Sequence, residues 1–387
     1  ADLARAAGIT PEQAGARIAR VGQRDFDVMR WSGEARADWR VTDELTTIFT
    51  VGTTSVGSGI ELTGLGAAQV EDWRYSFYQA RANWRRLFVQ GYVNTSNAGD
   101  TYLLRNGTPI TDRSKLYVAQ AQLGFTLGER QNFTYGLDFL YTQPETEGTI
   151  NGNYEDDDET SEFGAYLQSE TTLSPKFDIV LAGRVDTHSA LPDAIFSPRA
   201  GIVFKPAVDQ VFRLTFNRAF STPTSLNQFL DLGTAIPSEA AARLGYSVRV
   251  QGTGETGFTY RQTDGSYLML SPFAPDPTAT LPASAPLFWR GAVEAVAAGA
   301  AAQGQPIPAP VLALLRGLQP NAADIGTNFN ILGEPTSTPI SELVLPDIEP
   351  IRESTTTTFE AGYKGILGEQ VLLAADVWYE TRENFVT

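Results

Sequence analysis

The stretch KLYVAQAQLGFTLGERQNFTYGLDFLYT, residues 115–142, alternates strictly on both sides of a polar break. Tyr117, Ala119, Ala121, Leu123, Phe125 and Leu127 fall on one face; Val118, Gln120, Gln122, Gly124 and Thr126 fall on the other. After GERQN the alternation resumes, with Phe133, Tyr135, Leu137, Phe139 and Tyr141 opposed to Thr134, Gly136, Asp138, Leu140 and Thr142. A two-residue period belongs to a β-strand, whose successive side chains point to opposite faces. Any fold built from such segments must give one side of a sheet an apolar neighbour, either a protein core or hydrocarbon.

The same rhythm recurs along the chain. It predicts strands over 33–41 and 45–57, 73–84 and 87–96, 115–127 and 133–143, 161–173 and 177–187, 196–205 and 211–219, and 355–366 and 370–382. That is about twelve strands in hairpins. Inside each hairpin the break is short: TDE, RR, GERQN, SPK, PAVDQ or LGE. Between hairpins the connections are long and polar, as in GIELTGLGAAQVED, SNAGDTYLLRNGTPITDRS and QPETEGTINGNYEDDDET. Segment 1–32 reads as an outer loop with a helix opened by Thr10-Pro11-Glu12. Ten strands in five hairpins follow over 33–219, then a long outer-loop insert over 220–353, then one further hairpin over 354–387. Short helices are expected in the insert near 238–244, 285–303 and 309–317. Alternating short and long connections describe an all-β, antiparallel up-and-down sheet, with short turns on one side and long loops on the other.

Strand length and face chemistry bear on what the apolar side meets. Soluble strands average about 5–6 residues, whereas a tilted strand needs about 9–11 to cross a bilayer. The predicted strands reach the second range. Their polar face carries Arg36, Arg40, Arg81, Asp138, Glu170, Arg184, Asp186, Arg213 and Glu360 in mid-strand. Burying such charges in a dry sandwich costs several kcal/mol each unless they are paired. A hydrated lumen removes that cost. The apolar face is nearly free of charge and places Trp39, Trp84, Phe133 and Phe177 beside the short turns, as in the aromatic girdle of a membrane barrel. The reading is a transmembrane β-barrel whose outer wall meets membrane lipid. A soluble β-sandwich or solenoid is the alternative, because alternation by itself does not decide between them.

Composition narrows the function classes. No run of about 18 apolar residues offers a transmembrane helix; the Ala-rich stretch 291–303 is shorter and carries Glu294. A formal net charge of −16 argues against nucleic acid, which needs a basic footprint. Cysteine is absent, which excludes disulfides and thiolate metal sites. The single histidine, His188, ends a predicted strand and reads as a solvent-facing rim residue. A zinc site or a Ser-His-Asp triad lacks its other parts, so no catalytic residue is assigned and no enzyme is expected. GTTSVGSGIELTGLG has no strand-to-helix context and no phosphate-binding lysine. The acidic run EDDDETSE (155–162) includes Asp156, Asp157 and Asp158. Its oxygens suit calcium, or divalent bridges to lipopolysaccharide, or simply a solvated loop; no other cofactor is expected. With no initiator Met, no signal peptide and an end at TRENFVT, the chain reads as part of a longer protein.

Four stretches carry a family likeness: FSPRAGIVFKPAVDQVFRLTFNRAFSTP (196–223), STTTTFEAGYKGILGEQVLLAADVWYETRENF (354–385), DIVLAGRVDTHS (178–189) and TEGTINGNYEDDDETSEFGAYLQSETTLSPKFD (146–178). By their content and order, most of 26–220 and 354–387 resembles TonB-dependent outer-membrane receptors. The insert 220–353 carries none of the likeness. The resemblance implies a barrel of about 22 strands closed by an N-terminal plug; the plug, the TonB-contacting box and the terminal aromatic strand are absent here. It implies that Arg199, together with Arg184, Arg213, Asn217 and Glu360, faces the plug or lines the substrate route. Trp73, Tyr75 and Phe77 share the lumen-facing register at the mouth, where they would capture a bulky ligand or pack under the loops. The implied function is that of a receptor and active transporter in the bacterial outer membrane. It would import a scarce, bulky solute, siderophore-, cobalamin- or glycan-like, with energy from a periplasm-spanning TonB-like partner acting through the plug. A passive porin and a surface-binding protein acting through the insert are the alternatives.

Overall fold

A computed structural model describes residues 10–21, 24–235, 248–259, 268–270, 280–282, 285–318, 346–368 and 370–384. The described strands of the wall are β1 (Met29–Arg40), β2 (Leu45–Thr63), β3 (Gly66–Trp84), β4 (Leu87–Asn97), β6 (Lys115–Leu127), β7 (Gln131–Gln143), β8 (Thr160–Ser174), β9 (Phe177–His188), β10 (Ile195–Ala207), β11 (Gln210–Ser221), β16 (Ser354–Leu367) and β17 (Val371–Glu383). They pair in that order, each with its neighbour in sequence, and a short β5 (Tyr102–Leu103) adds to β3. Every pairing in this sheet is antiparallel. The sheet is open, with β1 and β17 as its edges. The insert contributes two two-stranded ribbons, β12 (Asp231–Ala235) with β13 (Val248–Gln251) and β14 (Leu268–Leu270) with β15 (Thr280–Pro282). It also holds the helices α2 (Ser225–Phe229), α3 (Ala285–Ala302) and α4 (Ala309–Gly317). The helix expected near 238–244 lies outside the described residues.

Register decides which side chains share a face. Asp38 pairs with Ile48, Ile48 with Arg81, Arg81 with Gln90, Gln90 with Gln120, and Gln120 with Asp138. Asp138 pairs in turn with Gly164, and Gly164 with Asp186. The other face carries Phe49, Tyr78, Val89, Tyr135, Leu137, Phe139, Leu167, Leu181, Ile202 and Leu214, all exposed. Among the described residues no second sheet covers them, which removes the sandwich alternative.

Aromatic pairs mark the edges of this apolar band. Near the short turns stand Phe125 with Phe133 (4.9 Å), Phe177 with Phe204 (4.7 Å) and Phe212 with Tyr363 (4.8 Å). Toward the long loops stand Tyr117 with Tyr141 (6.0 Å) and Phe216 with Phe359 (5.0 Å). From Phe133 to Tyr141 the strand runs about 26 Å, or about 20 Å of height at the usual barrel tilt of about 40°, most of the apolar band on an outer-membrane barrel.

One predicted loop is strand. The composition of GIELTGLGAAQVED predicts a long connection, but β2 and β3 run on through it and turn only at Gly64-Leu65, with pairs from Ser58↔Glu71 to Thr63↔Gly66. Its apolar residues are too sparse for a period-two signal. The extension is held by partners distant in sequence: β5 pairs Leu103 with Ala68 and Tyr102 with Gln69, and Ala68, Leu103 and Ile110 form a small core with Leu65, Trp73 and Ile150. Helix α1 (Pro11–Val21) docks beside it. Its start is capped reciprocally, Gln13 N–H donating to Thr10 Oγ1 (3.2 Å) and Thr10 N–H to Gln13 Oε1 (2.9 Å). Tyr102 Oη donates to the Arg20 carbonyl (3.0 Å).

Candidate functional site

The polar face of the wall holds all eleven charged or amide residues expected to face the lumen: Arg36, Arg40, Arg81, Asp138, Glu170, Arg184, Asp186, Arg199, Arg213, Asn217 and Glu360, as the register shows. They do not form one site. Asp138, Arg184 and Asp186 make a triad: the Arg184 guanidinium donates to both carboxylates and lies 5.7 Å from the Tyr166 ring centre. Gly164 sits in the row between Asp138 and Asp186, and a Cβ there would collide with Arg184 Nη2. The missing side chain is what lets the guanidinium cross the strand. Gln120 extends the triad, donating to Asp138 (3.0 Å) and accepting from Gln90. Gln79 donates to Gln90 at 3.5 Å, so a polar ladder runs from β3 to β9. Arg213 forms a second group, donating to Glu360 and to Asp376 (2.9 Å). Arg36 holds Asp38 through two 2.8 Å bonds. Arg81 keeps a buried Nε without a hydrogen-bond partner. Arg40, Glu170 and Arg199 are exposed.

The aromatic trio separates. Trp73 is half-buried against the Ala68–Leu103–Ile110 core, and its Nε1–H donates to Ser96 Oγ (3.0 Å), which donates on to Asp112 (2.6 Å). Its ring stacks on Tyr75 with 5.8 Å between centres. Tyr75 and Phe77 instead line an open recess of about 510 Å³, together with Ser32, Glu34, Thr54 and Asn94. Phe77 lies seven residues from the Trp84 end of β3, which places the recess about 23 Å along the strand from the short turns, near the middle of β1, β2 and β3. Sequence reading missed Ser32, Glu34, Thr54 and Asn94. Each is an ordinary strand residue, and only the pairing of β1 through β4 gathers them.

The acidic run is not a cluster. Asp156 and Asp157 are exposed, whereas Asp158 is only 1% exposed and accepts from Asn151 Nδ2. Its Oδ1 has no partner. Burial pushes the Asp158 carboxyl up to about 6. Glu155 turns inward too, accepting from the backbone N–H groups of Thr146, Glu147 (2.6 Å) and Gly148 (3.0 Å) and from the Thr146 hydroxyl. Burial would raise the Glu155 carboxyl, but these hydrogen bonds outweigh it and hold it below the usual range. Among the described residues no group of three acidic or histidine side chains is arranged to hold a metal. The Asp156–Asp157–Asp158 trio, for which calcium was one of three readings, is not brought together, because Asp158 serves the inside of its own loop. His188 differs from expectation as well: it is buried, not solvent-facing, and its Nδ1 accepts from Ala190 N–H (3.1 Å) where the 189–194 turn folds over the end of β9.

The TonB dependent receptor-like β-barrel family matches residues 12–387. The chain belongs to that family. Solved structures similar to this receptor-family chain include the siderophore receptor PirA from Acinetobacter baumannii, at 12% identity and TM-score 0.48, covering 92% of this chain and 43% of that one. The alcaligin outer-membrane receptor FauA from Bordetella pertussis is 10% identical with TM-score 0.45, covering 93% and 45%. The copper transporter OprC is 9% identical with TM-score 0.46, covering 92% and 45%. The chain thus spans less than half the length of these proteins. No curated protein matches the sequence. The TonB-dependent receptor barrel is a bacterial outer-membrane structure, and its family is one of receptors and transporters rather than enzymes.

Proposed function

We propose that the protein is an outer-membrane receptor that captures a scarce, bulky solute at the cell surface. It imports that solute with energy from a periplasm-spanning TonB-like partner, acting through a plug within the barrel. The observation that carries this reading is the recess at Tyr75 and Phe77. It lies on the charged face of the wall and has a volume of about 510 Å³, within the range of ligand sites. Its aromatic floor and convergent polar groups suit a ligand that is held and then released. Ligand capture outside shifts the plug equilibrium, and the energised partner draws on that shift to open a route. Arg199, exposed on the same face, is assigned to seating the plug.

Uptake tests this reading. In cells carrying the full-length receptor, accumulation of the solute falls to background when the energising partner is deleted, and Tyr75→Ala lowers it with the partner intact. Undiminished uptake without the partner refutes active transport. Arg199→Ala raises leak of small solutes through the barrel; unchanged permeability returns Arg199 to lumen lining.

A further inference from the structure

The chemistry of the recess selects among ligands. Its aromatic floor is pre-set by neighbours: Tyr75 is stacked on Trp73, which is pinned through Ser96 and Asp112. Phe77 lies over Gly52, where a Cβ would strike the ring, so the glycine is what lets the ring lie against β2. Two planes fixed in this way lose little freedom when a ligand arrives. On the same face stand the Ser32 and Thr54 hydroxyls, the Asn94 amide and the Glu34 carboxylate. None of the lining residues is Lys or Arg. The nearest cation on this face of β1, Arg36, is two residues from Glu34 and is turned to Asp38, which it holds through Nε and Nη2. The lining of the recess therefore carries one negative charge and no positive one, in a chain whose formal charge is −16.

A multiply charged anion entering here meets the Glu34 carboxylate with no Lys or Arg in the lining to receive it, and the field of the whole chain opposes its approach. A sugar ring meets neither difficulty. Its C–H face lies on an aromatic plane, and its hydroxyls donate to the carboxylate and exchange hydrogen bonds with amide and hydroxyl groups. Those are the partners present, and they would be left unpaired by a purely apolar ligand.

We infer that the recess takes a neutral, hydroxyl-rich ring compound, an oligosaccharide, and turns away anionic iron chelates. The inference rests on the recess being the ligand site, as proposed above.

The test uses full-length receptor purified in detergent, with calorimetric titration of two probe sets. One is a panel of neutral pentasaccharides (malto-, cello-, xylo- and chito-oligomers); the other is a ferric tris-catecholate. Folding of each variant is checked by its heat-modifiable gel shift. At least one pentasaccharide binds saturably, and both Tyr75→Ala and Gly52→Val weaken it by about tenfold or more. Glu34→Gln weakens it by a smaller factor, and the ferric chelate does not bind. If the chelate binds and Tyr75→Ala weakens it, the ligand class is overturned while the site stands. If a pentasaccharide binds but neither Tyr75→Ala nor Gly52→Val changes its affinity, the site itself is overturned. A wild-type receptor that binds nothing on the panel overturns the class.

Discussion

The wall of strands and the loop assembly at its long-loop end are stabilised by different physics. On the wall, Leu137, Leu181 and Leu214 are about half exposed (49%, 55% and 57%); cohesion comes from the antiparallel ladder, and the apolar side waits for hydrocarbon. At the loop end the situation is that of a soluble domain. The largest fully buried side chains, Tyr102, Gln69, Gln228, Val70, Thr101, Asp158 and Asp231, all lie there. Loops 98–112 and 144–159 are tied by Thr111 N–H donating to Thr149 Oγ1 (2.8 Å) and by the Arg113–Glu147 ion pair. The 144–159 loop is tied to the insert by Asp231 N–H donating to the Ile150 carbonyl (3.0 Å) and by Tyr154 against Phe229. Long polar loops can thus be rigid. The polarity that marks them as loops also supplies side chains that satisfy each other's backbone groups.

Substitutions at the two ends should therefore fail differently. The largest effect is expected for Tyr102→Ala, which empties a site 2% exposed and removes the bond to Arg20; truncating a buried aromatic costs about 4 kcal/mol. Limited proteolysis should cut 98–112 and release α1, while the heat-modifiable shift of the wall is kept. Loss of that shift would mean the loop assembly holds the barrel, and the comparison would break. Next comes Arg184→Met, which leaves Asp138 and Asp186, both nearly buried, without their cation. Removing one partner of such a set costs about 3 kcal/mol, read as a lowered urea midpoint of the wall with loop proteolysis unchanged.

Leu181→Arg is expected to be milder. It puts a charge on the lipid face near mid-strand, at a cost of about 2 kcal/mol, and should lower unfolding stability in bilayers. An equal effect at Ala182, its neighbour on the polar face, would reverse the assignment of faces. The smallest effect concerns pH. Asp158 titrates near 6 when folded and near 3.8 otherwise. A raised carboxyl is penalised while ionised, so the loop is least stable above about pH 6, gains as pH falls toward 4 and gains nothing further below that. Glu155, held low, acts with the opposite sign, losing its contribution as pH falls below its own lowered range. Amide exchange of Thr146 to Asp158 should therefore be slower at pH 5 than at pH 7.5, after correction for intrinsic rates, and Asp158→Asn should abolish the difference.

The strands were legible because alternation is local. KLYVAQAQLGFTL needs no partner to show its two faces, and the charges at Arg184, Arg213 and Glu360 identify the wet one. The extension of β2 and β3 through 58–71 was not legible, since it depends on β5 and Ile110 lying alongside. His188 and Asp158 read as surface residues because polarity was the only local information. Their burial is imposed by Ala190 and Asn151, which fold over them. Of the candidate site, Tyr75 and Phe77 were named from parity alone; Glu34, Thr54 and Asn94 were not, since nothing within each strand marks them.

The sequence by itself determined that this chain makes long antiparallel strands with one greasy and one ionic side, because a two-residue period is written in consecutive residues. Only the tertiary structure decided which ionic groups meet, that Glu34 joins Tyr75 and Phe77 around a recess, and that an acidic loop turns its carboxylates inward. Those outcomes follow from register and loop closure, which couple residues tens of positions apart through backbone pairing and burial that no local pattern records.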